Sequence, residues 1–121
     1  FLFEPNQAVL DMSNQENIQN LEAIKRMLQV SPGSTMLLRG HVDNAQVTVF
    51  REKGGEAYVR KMALSAMELS KNRASEIRRL LIERYNVEPK RLDIVGRGWE
   101  EPAGPDSAQN RRVEVQWFTI E

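Results

Sequence analysis

Residues 57–85, AYVRKMALSAMELSKNRASEIRRLLIERY, carry the longest periodic signal in the chain. Val59, Met62, Ala63, Ala66, Leu69, Ile77, Leu80 and Leu81 fall in one stripe at 100° per residue, the pattern of a helix with one apolar face. Gly54-Gly55 is expected to mark its start and Asn86-Val87-Glu88-Pro89 its end, since glycine punctuates a helical pattern and proline disfavours helical geometry at the preceding residue. One member of the stripe is a charge: Arg73 lies one turn from Leu69 and one turn from Ile77. A guanidinium that leaves water needs a carboxylate or several acceptors, best met through its two-pronged fork. The residues alone leave two readings open, an internal ion pair or a group that faces a ligand.

Toward the N-terminus, Ser31-Pro32-Gly33 closes an earlier helical pattern in which Ile18, Leu21, Ile24 and Leu28 recur. Ser13-Asn14-Gln15-Glu16 fits a capping box at its start, so a helix is expected at about 14–29. Phe1-Leu2-Phe3 reads as a short strand stopped by Pro5. Residues 35–42 alternate, with Met36, Leu38 and Val42 on one face, and further strand signals lie at Leu92-Asp93-Ile94-Val95-Gly96 and Val113-Glu114-Val115-Gln116-Trp117. Residues 44–53 are ambiguous between loop and strand. A hairpin pairing Val47 to Phe50 with Ala57 to Val59 competes with the start of the long helix. Gly54-Gly55 also suggests a hinge, and residues 44–55 are expected to form a mobile flap. The fold class is therefore α+β: a sandwich of a mixed sheet of about four strands, with two main helices, at about 14–29 and 56–85, packed on one face. Ala63, Ala66, Leu69, Ile77, Leu80, Leu38, Ile94, Val113 and Val115 are expected in its core, with a cost of about 2 to 5 kcal/mol for Leu69→Ala.

A chain of 121 residues has the size of one domain, taken as 1–121. Its 17 basic and 17 acidic residues cancel, which argues against nucleic acid or an anionic membrane as partner. The absence of cysteine excludes disulfides, thiol nucleophiles and thiolate metal sites, and a lone histidine, His41, excludes a histidine-cluster metal site. No apolar run reaches the roughly 20 residues of a membrane span, and the start at Phe1 has no signal-peptide layout. The chain is expected to be a piece of a longer protein, with any membrane anchor outside it. Gly96-Arg97-Gly98 lacks the third glycine of a phosphate-cradling loop, and the pair Arg111-Arg112 is expected to be solvated or ion-paired. A carboxylate pair of Asp43 with Glu56 or Glu100 would be needed for acid–base chemistry, and no spacing supports it. No enzyme, metal or cofactor is expected. Asp43, where the chain leaves the strand, is either a turn aspartate beside Asn44 or a binding group for a cation on a rigid base.

Gly40-His41-Val42-Asp43-Asn44, Leu69-Ser70-Lys71-Asn72-Arg73-Ala74 with Ile77 and Leu81, Gly96-Arg97-Gly98-Trp99, and Asn110-Arg111-Arg112-Val113-Glu114-Val115 stand in the order of the OmpA-like C-terminal domains, and Phe1-Leu2-Phe3 with Leu10 resembles that family's first strand. The resemblance covers nearly the whole chain. It implies a periplasmic, non-catalytic domain that anchors outer-membrane proteins, lipoproteins or flagellar stator proteins to the cell wall. It further implies that Asp43 and Arg73 hold the free end of diaminopimelate in the peptide stem of peptidoglycan, with Val42, Asn44, Leu69 and Arg111 as supporting residues. The pairing suits a ligand end that carries an ammonium and a carboxylate on one carbon. Ala66 stands where the family usually has Asn, Val42 where threonine is commoner, and an inserted segment lies within about 44–66. These departures keep an alternative in view, an OmpA-like fold that has lost wall binding and serves as a protein-interaction or stator domain. Membrane contact, on either reading, comes only through segments outside this chain.

Overall fold

The computed structural model describes residues 1–119. In chain order the elements are α1 (Gln15–Val30), β1 (Thr35–Gly40), α2 (Val47–Tyr85), a 3-10 turn (Pro89–Arg91), β2 (Leu92–Gly96), α3 (Ser107–Asn110) and β3 (Val113–Phe118). The α+β class and the two main helices agree with the sequence reading. The strand count does not: among the described residues the sheet has three strands in the order β2-β1-β3, with β1 parallel to β2 and antiparallel to β3. The expected fourth strand at Phe1-Leu2-Phe3 is reduced to the single bridge Leu2↔Arg112. Pro5 has no amide to donate, and Asn6 turns the chain with φ 57°, so the ladder stops after one pairing.

The core forms where both helices meet the same sheet face. Leu21, Ile24 and Leu28 of α1 join Ala74, Ile77, Leu80 and Leu81 of α2 over Met36, Leu38, Leu92 and Val113. Strand alternation explains the set on β1, where Met36, Leu38 and Gly40 are buried and the residues between them are not fully so. Ala63, Leu69 and Ile94 are only half-buried, and Val115, expected in the core, is 38% exposed because β3 is an edge strand. Leu69 therefore lacks the full burial on which its expected cost was based.

Two local expectations are corrected. The cap of α1 is Asn14, whose side chain accepts from the Glu16 amide at 2.9 Å, while Ser13 Oγ turns to Asp11 at 2.6 Å; no capping box forms. Beyond a short turn at 44–46, the segment expected as loop, strand or hairpin is helical. Asp43 Oδ1 accepts from the Ala45 amide, a turn follows, and the chain enters α2 at Val47 rather than at residue 56. The glycine signal was nonetheless real: Gly55, at φ 68° and ψ −164°, breaks the helical geometry at the expected start, in a region open to glycine almost alone.

Candidate functional site

The site is seated by close approach of α2 to the sheet. A Cβ on Gly40 would lie 1.8 Å from the Ser70 carbonyl oxygen, and one on Gly96 would lie 2.7 Å from Ser70 Oγ and 2.8 Å from the Lys71 amide nitrogen. Only glycine lets the helix backbone rest on the ends of β1 and β2 here. Ser70 is itself fully buried and joins α2 to the turn after β2, donating to Met67 O within its own helix at 2.8 Å and accepting from the Gly98 amide at 2.9 Å. The Gly98 carbonyl in turn accepts from the Val42 amide at 2.8 Å, and the His41 amide donates to Arg112 O at 2.8 Å. The chain thus leaves β1 held on both sides, which fixes where Asp43 emerges.

One turn beyond Ser70, Arg73 is 0% exposed. Its guanidinium donates to three backbone carbonyls: Nε to Gln7 at 2.9 Å, Nη1 to His41 at 2.8 Å and Nη2 to Glu4 at 3.0 Å. Phe3 lies beneath it, with Cζ 5.4 Å from the ring centroid. Burial, joined by the Arg111 charge and partly opposed by Asp43, holds the Arg73 guanidinium down to about 10, which leaves it a cation at neutral pH. A buried cation satisfied by neutral carbonyls alone is unusual, because an anion is the stronger partner.

Asp43 does not fill that role by direct contact. Its Oδ2 lies 3.4 Å from Arg111 Nη1, while Arg111 Nε donates to Phe3 O at 2.9 Å. No Asp43–Arg73 hydrogen bond or ion pair forms, so the simple internal pair weighed from sequence is absent. The two residues share a cleft instead. It has a volume of about 410 Å³, and Asp43, Arg73, Arg111, Val42 and Leu69 all line it. Asn44 does not; it is exposed, and its carbonyl accepts from the Val47 amide. Ala66 also lines the cleft, at the position where a side-chain amide was expected from the resemblance.

Sequence reasoning missed Phe50, Met62 and Trp99, which also line the wall. Trp99 was legible as an aromatic in the glycine-rich segment, but nothing local placed it opposite residue 50. The His41 imidazole serves elsewhere. It is 1% exposed, its Nε2 lies 2.6 Å from Glu114 Oε1 without hydrogen-bond geometry, and among the described residues its Nδ1 has no partner. Glu56 pairs with Arg51 and Glu100 with Arg97, and neither lines the cleft. No helix among the described residues is long and apolar enough to cross a membrane.

Comparison with known proteins agrees with this architecture. The profile of the OmpA family matches residues 2–116. Among solved structures, the peptidoglycan-associated lipoprotein of Burkholderia pseudomallei is 22% identical with a TM-score of 0.73, the match covering 97% of this chain and 87% of that one. The C-terminal domain of Helicobacter pylori MotB is 28% identical with a TM-score of 0.69, covering 100% of this chain and 86% of that one. The OmpA-like domain of FopA1 from Francisella tularensis is 17% identical with a TM-score of 0.73, covering 99% and 71%.

Proposed function

This chain belongs to the OmpA family, and on that premise we propose that it binds cell-wall peptidoglycan non-covalently, gripping the diaminopimelate of the peptide stem and anchoring a larger envelope protein to the wall from the periplasm. The observation that carries the reading is the shared cleft, whose wall brings together one acidic residue, Asp43, and two arginines, Arg73 and Arg111, with Arg73 closed to solvent in the unliganded domain. A free amino-acid end offers the complementary charges, an ammonium and a carboxylate on one carbon.

The donor count supports a bidentate grip. Of the five N–H groups of a guanidinium, Arg73 directs three at carbonyls, which leaves two for a ligand carboxylate. Arg73 is sealed from solvent, so the ligand has to open a contact to reach it. The Asp43–Arg111 pair, at 3.4 Å, is well beyond the roughly 2.7–2.9 Å of a strong charge-assisted bond and is the natural one to yield. In this scheme the ammonium takes Asp43 while the carboxylate takes Arg73, with Arg111 as a second cation, and the internal pair is replaced by two intermolecular ones. No residue performs acid–base work. The name of the Burkholderia neighbour is in keeping with a wall ligand.

One observation favours a second reading. The full burial of Arg73, with Ala66 in place of an amide, also suits a domain that kept the fold, lost the ligand and serves as a protein-interaction or stator domain. Sedimentation with purified diaminopimelate-type sacculi separates the two. Wall binding requires the domain to pellet with the sacculi and free diaminopimelate to compete; a domain that stays in the supernatant belongs to the second class.

A further inference from the structure

Residues 47–54 contribute nothing to the hydrophobic core, yet they direct one aromatic side chain inward. The Phe50 ring stands edge-on to Tyr58 at 5.7 Å and lies 6.2 Å from the ring of Trp99, tilted by 33°. Trp99 comes from the turn after β2, and that turn is rigidly held. The Gly98 amide is bonded to Ser70, its carbonyl to Val42, and Glu101 accepts from both Arg39 and Arg97. Phe50 and Trp99 line the same cleft as Asp43 and Arg73, together with Met62 and Leu69. The cleft therefore has a charged part and an apolar, aromatic part.

A zwitterion on one carbon accounts for the charged part alone. At about 410 Å³ the cleft falls within the range of roughly 300–1,000 Å³ that takes a drug-sized ligand, which is more than an amino-acid end requires. Free diaminopimelate already carries the methylene chain that follows the zwitterion; what a peptide stem adds beyond it are the methylenes of the γ-glutamyl unit and the alanyl methyl, apolar groups that suit an aromatic wall. We propose that Phe50 and Trp99 are specificity-determining residues that hold this continuation, so that the site selects a stem peptide over free diaminopimelate. The proposal rests on the zwitterion reading given above. It assigns a role to the inserted segment, which brings Phe50 to the cleft.

Two measurements test it. The first is calorimetric binding of meso-diaminopimelate and of the tripeptide alanyl-γ-glutamyl-diaminopimelate to the wild type, Phe50→Ala and Trp99→Ala, each checked for folding by circular dichroism. The expected result is that the tripeptide-to-diaminopimelate affinity ratio falls about tenfold in each variant, the equivalent of about 1.4 kcal/mol. A ratio unchanged in the folded variants overturns the proposal, whether both affinities fall together or neither falls. The second needs no change at the wall. In Trp117→Phe, Trp99 is the only tryptophan left, and its emission is expected to shift to the blue with saturating tripeptide and much less with diaminopimelate. Unaltered emission with bound tripeptide overturns the proposal while the zwitterion reading stands. A wild-type domain that binds neither probe sinks the zwitterion reading and this one with it.

Discussion

Arg73 Nη1 donates to the His41 carbonyl at 2.8 Å, across 32 residues of chain. The bond ties the middle of the long helix to the strand end that presents Asp43, so the two groups proposed to meet the ligand are held in one frame. With the Glu4 and Gln7 carbonyls on the same guanidinium, Arg73 also fastens the N-terminal segment to α2.

This double duty separates the two charged residues experimentally. Arg73→Ala leaves the buried His41 carbonyl without its donor, while the Glu4 and Gln7 carbonyls, on exposed residues, can turn to water; the unsatisfied buried group alone is expected to cost about 1–3 kcal/mol of stability. Arg73→Lys keeps the charge but loses the fork, and is expected to lower both the melting temperature and sacculus binding. Asp43→Asn retains an oxygen for the Ala45 amide, so it is expected to melt near wild type. It should nonetheless weaken binding about 30-fold or more, as loss of one desolvated charge partner commonly does. Calorimetric melts and sedimentation on the same preparations check both; wild-type binding by folded Asp43→Asn removes Asp43 from the site.

Gly40→Ala is expected to be among the most disruptive small changes in the chain. A Cβ 1.8 Å from the Ser70 carbonyl oxygen forces backbone apart from backbone. Overpacking of this kind costs about 3 kcal/mol or more, a fall in melting midpoint of about 10 °C at this chain length. Gly104→Ala meets only the flexible end of Gln109, at 3.0 Å, and should melt close to wild type. Equal melting temperatures for the two variants would show that the helix can lift from the strand at little cost.

Ile77→Ala, at a fully buried position, is expected to cost about 2–5 kcal/mol. Leu69→Ala should cost less, because Leu69 is half-buried and faces the cleft, and its larger effect should fall on ligand binding. Denaturant unfolding of the pair gives the order, and a Leu69→Ala cost as large as that of Ile77→Ala would place Leu69 in the core after all.

Burial, helped by the Arg112 charge and opposed by Glu114 and Glu101, holds the His41 imidazole below its ordinary 6.5 in the folded state. Between the folded and unfolded values the unfolded chain binds the extra proton, so stability rises with pH across that window. The contribution is fully present above about 6.5 and is lost as pH falls through the depressed folded value. Melting temperature is therefore expected to drop between pH 7.5 and pH 5, and His41→Gln should flatten the profile. An equal drop in the variant would assign the effect to other groups.

Residues 47–54 are helical but mostly solvent-exposed, and Gly55 interrupts the helix behind them. Their amides are expected to exchange faster by hydrogen–deuterium exchange than those of β1 and of α2 beyond residue 66. Stem peptide should slow that exchange at Phe50. Protection of residues 47–50 equal to that of β1 in the free protein would rule out a mobile flap.

What depends on neighbours within a turn or a strand pair is legible in the chain alone. Ile18, Leu21, Ile24 and Leu28, closed off by Pro32, delimit α1 to within one residue at each end; alternation locates β2 and β3, and Gly54-Gly55 marks the break in α2. The same local logic singled out Arg73, as a charge in an apolar stripe, and Asp43, at a strand end. The sequence was misleading where local preference met a distant constraint. The Phe1–Leu2–Phe3 run has strand propensity but only one pairing position, and Val115 alternates correctly yet lies on an edge. Tertiary structure alone decided the partners. Arg73 finds carbonyls 32, 66 and 69 residues away, and Asp43 finds Arg111 at 68. Carbonyls occur at every residue and carry no sequence mark, so no pattern could have nominated Glu4, Gln7 and His41 as the acceptors. The meeting of Phe50 with Trp99 has the same origin: each ring's position follows from where α2 rests on Gly40 and Gly96, a packing distance set by the whole core rather than by either residue's neighbours.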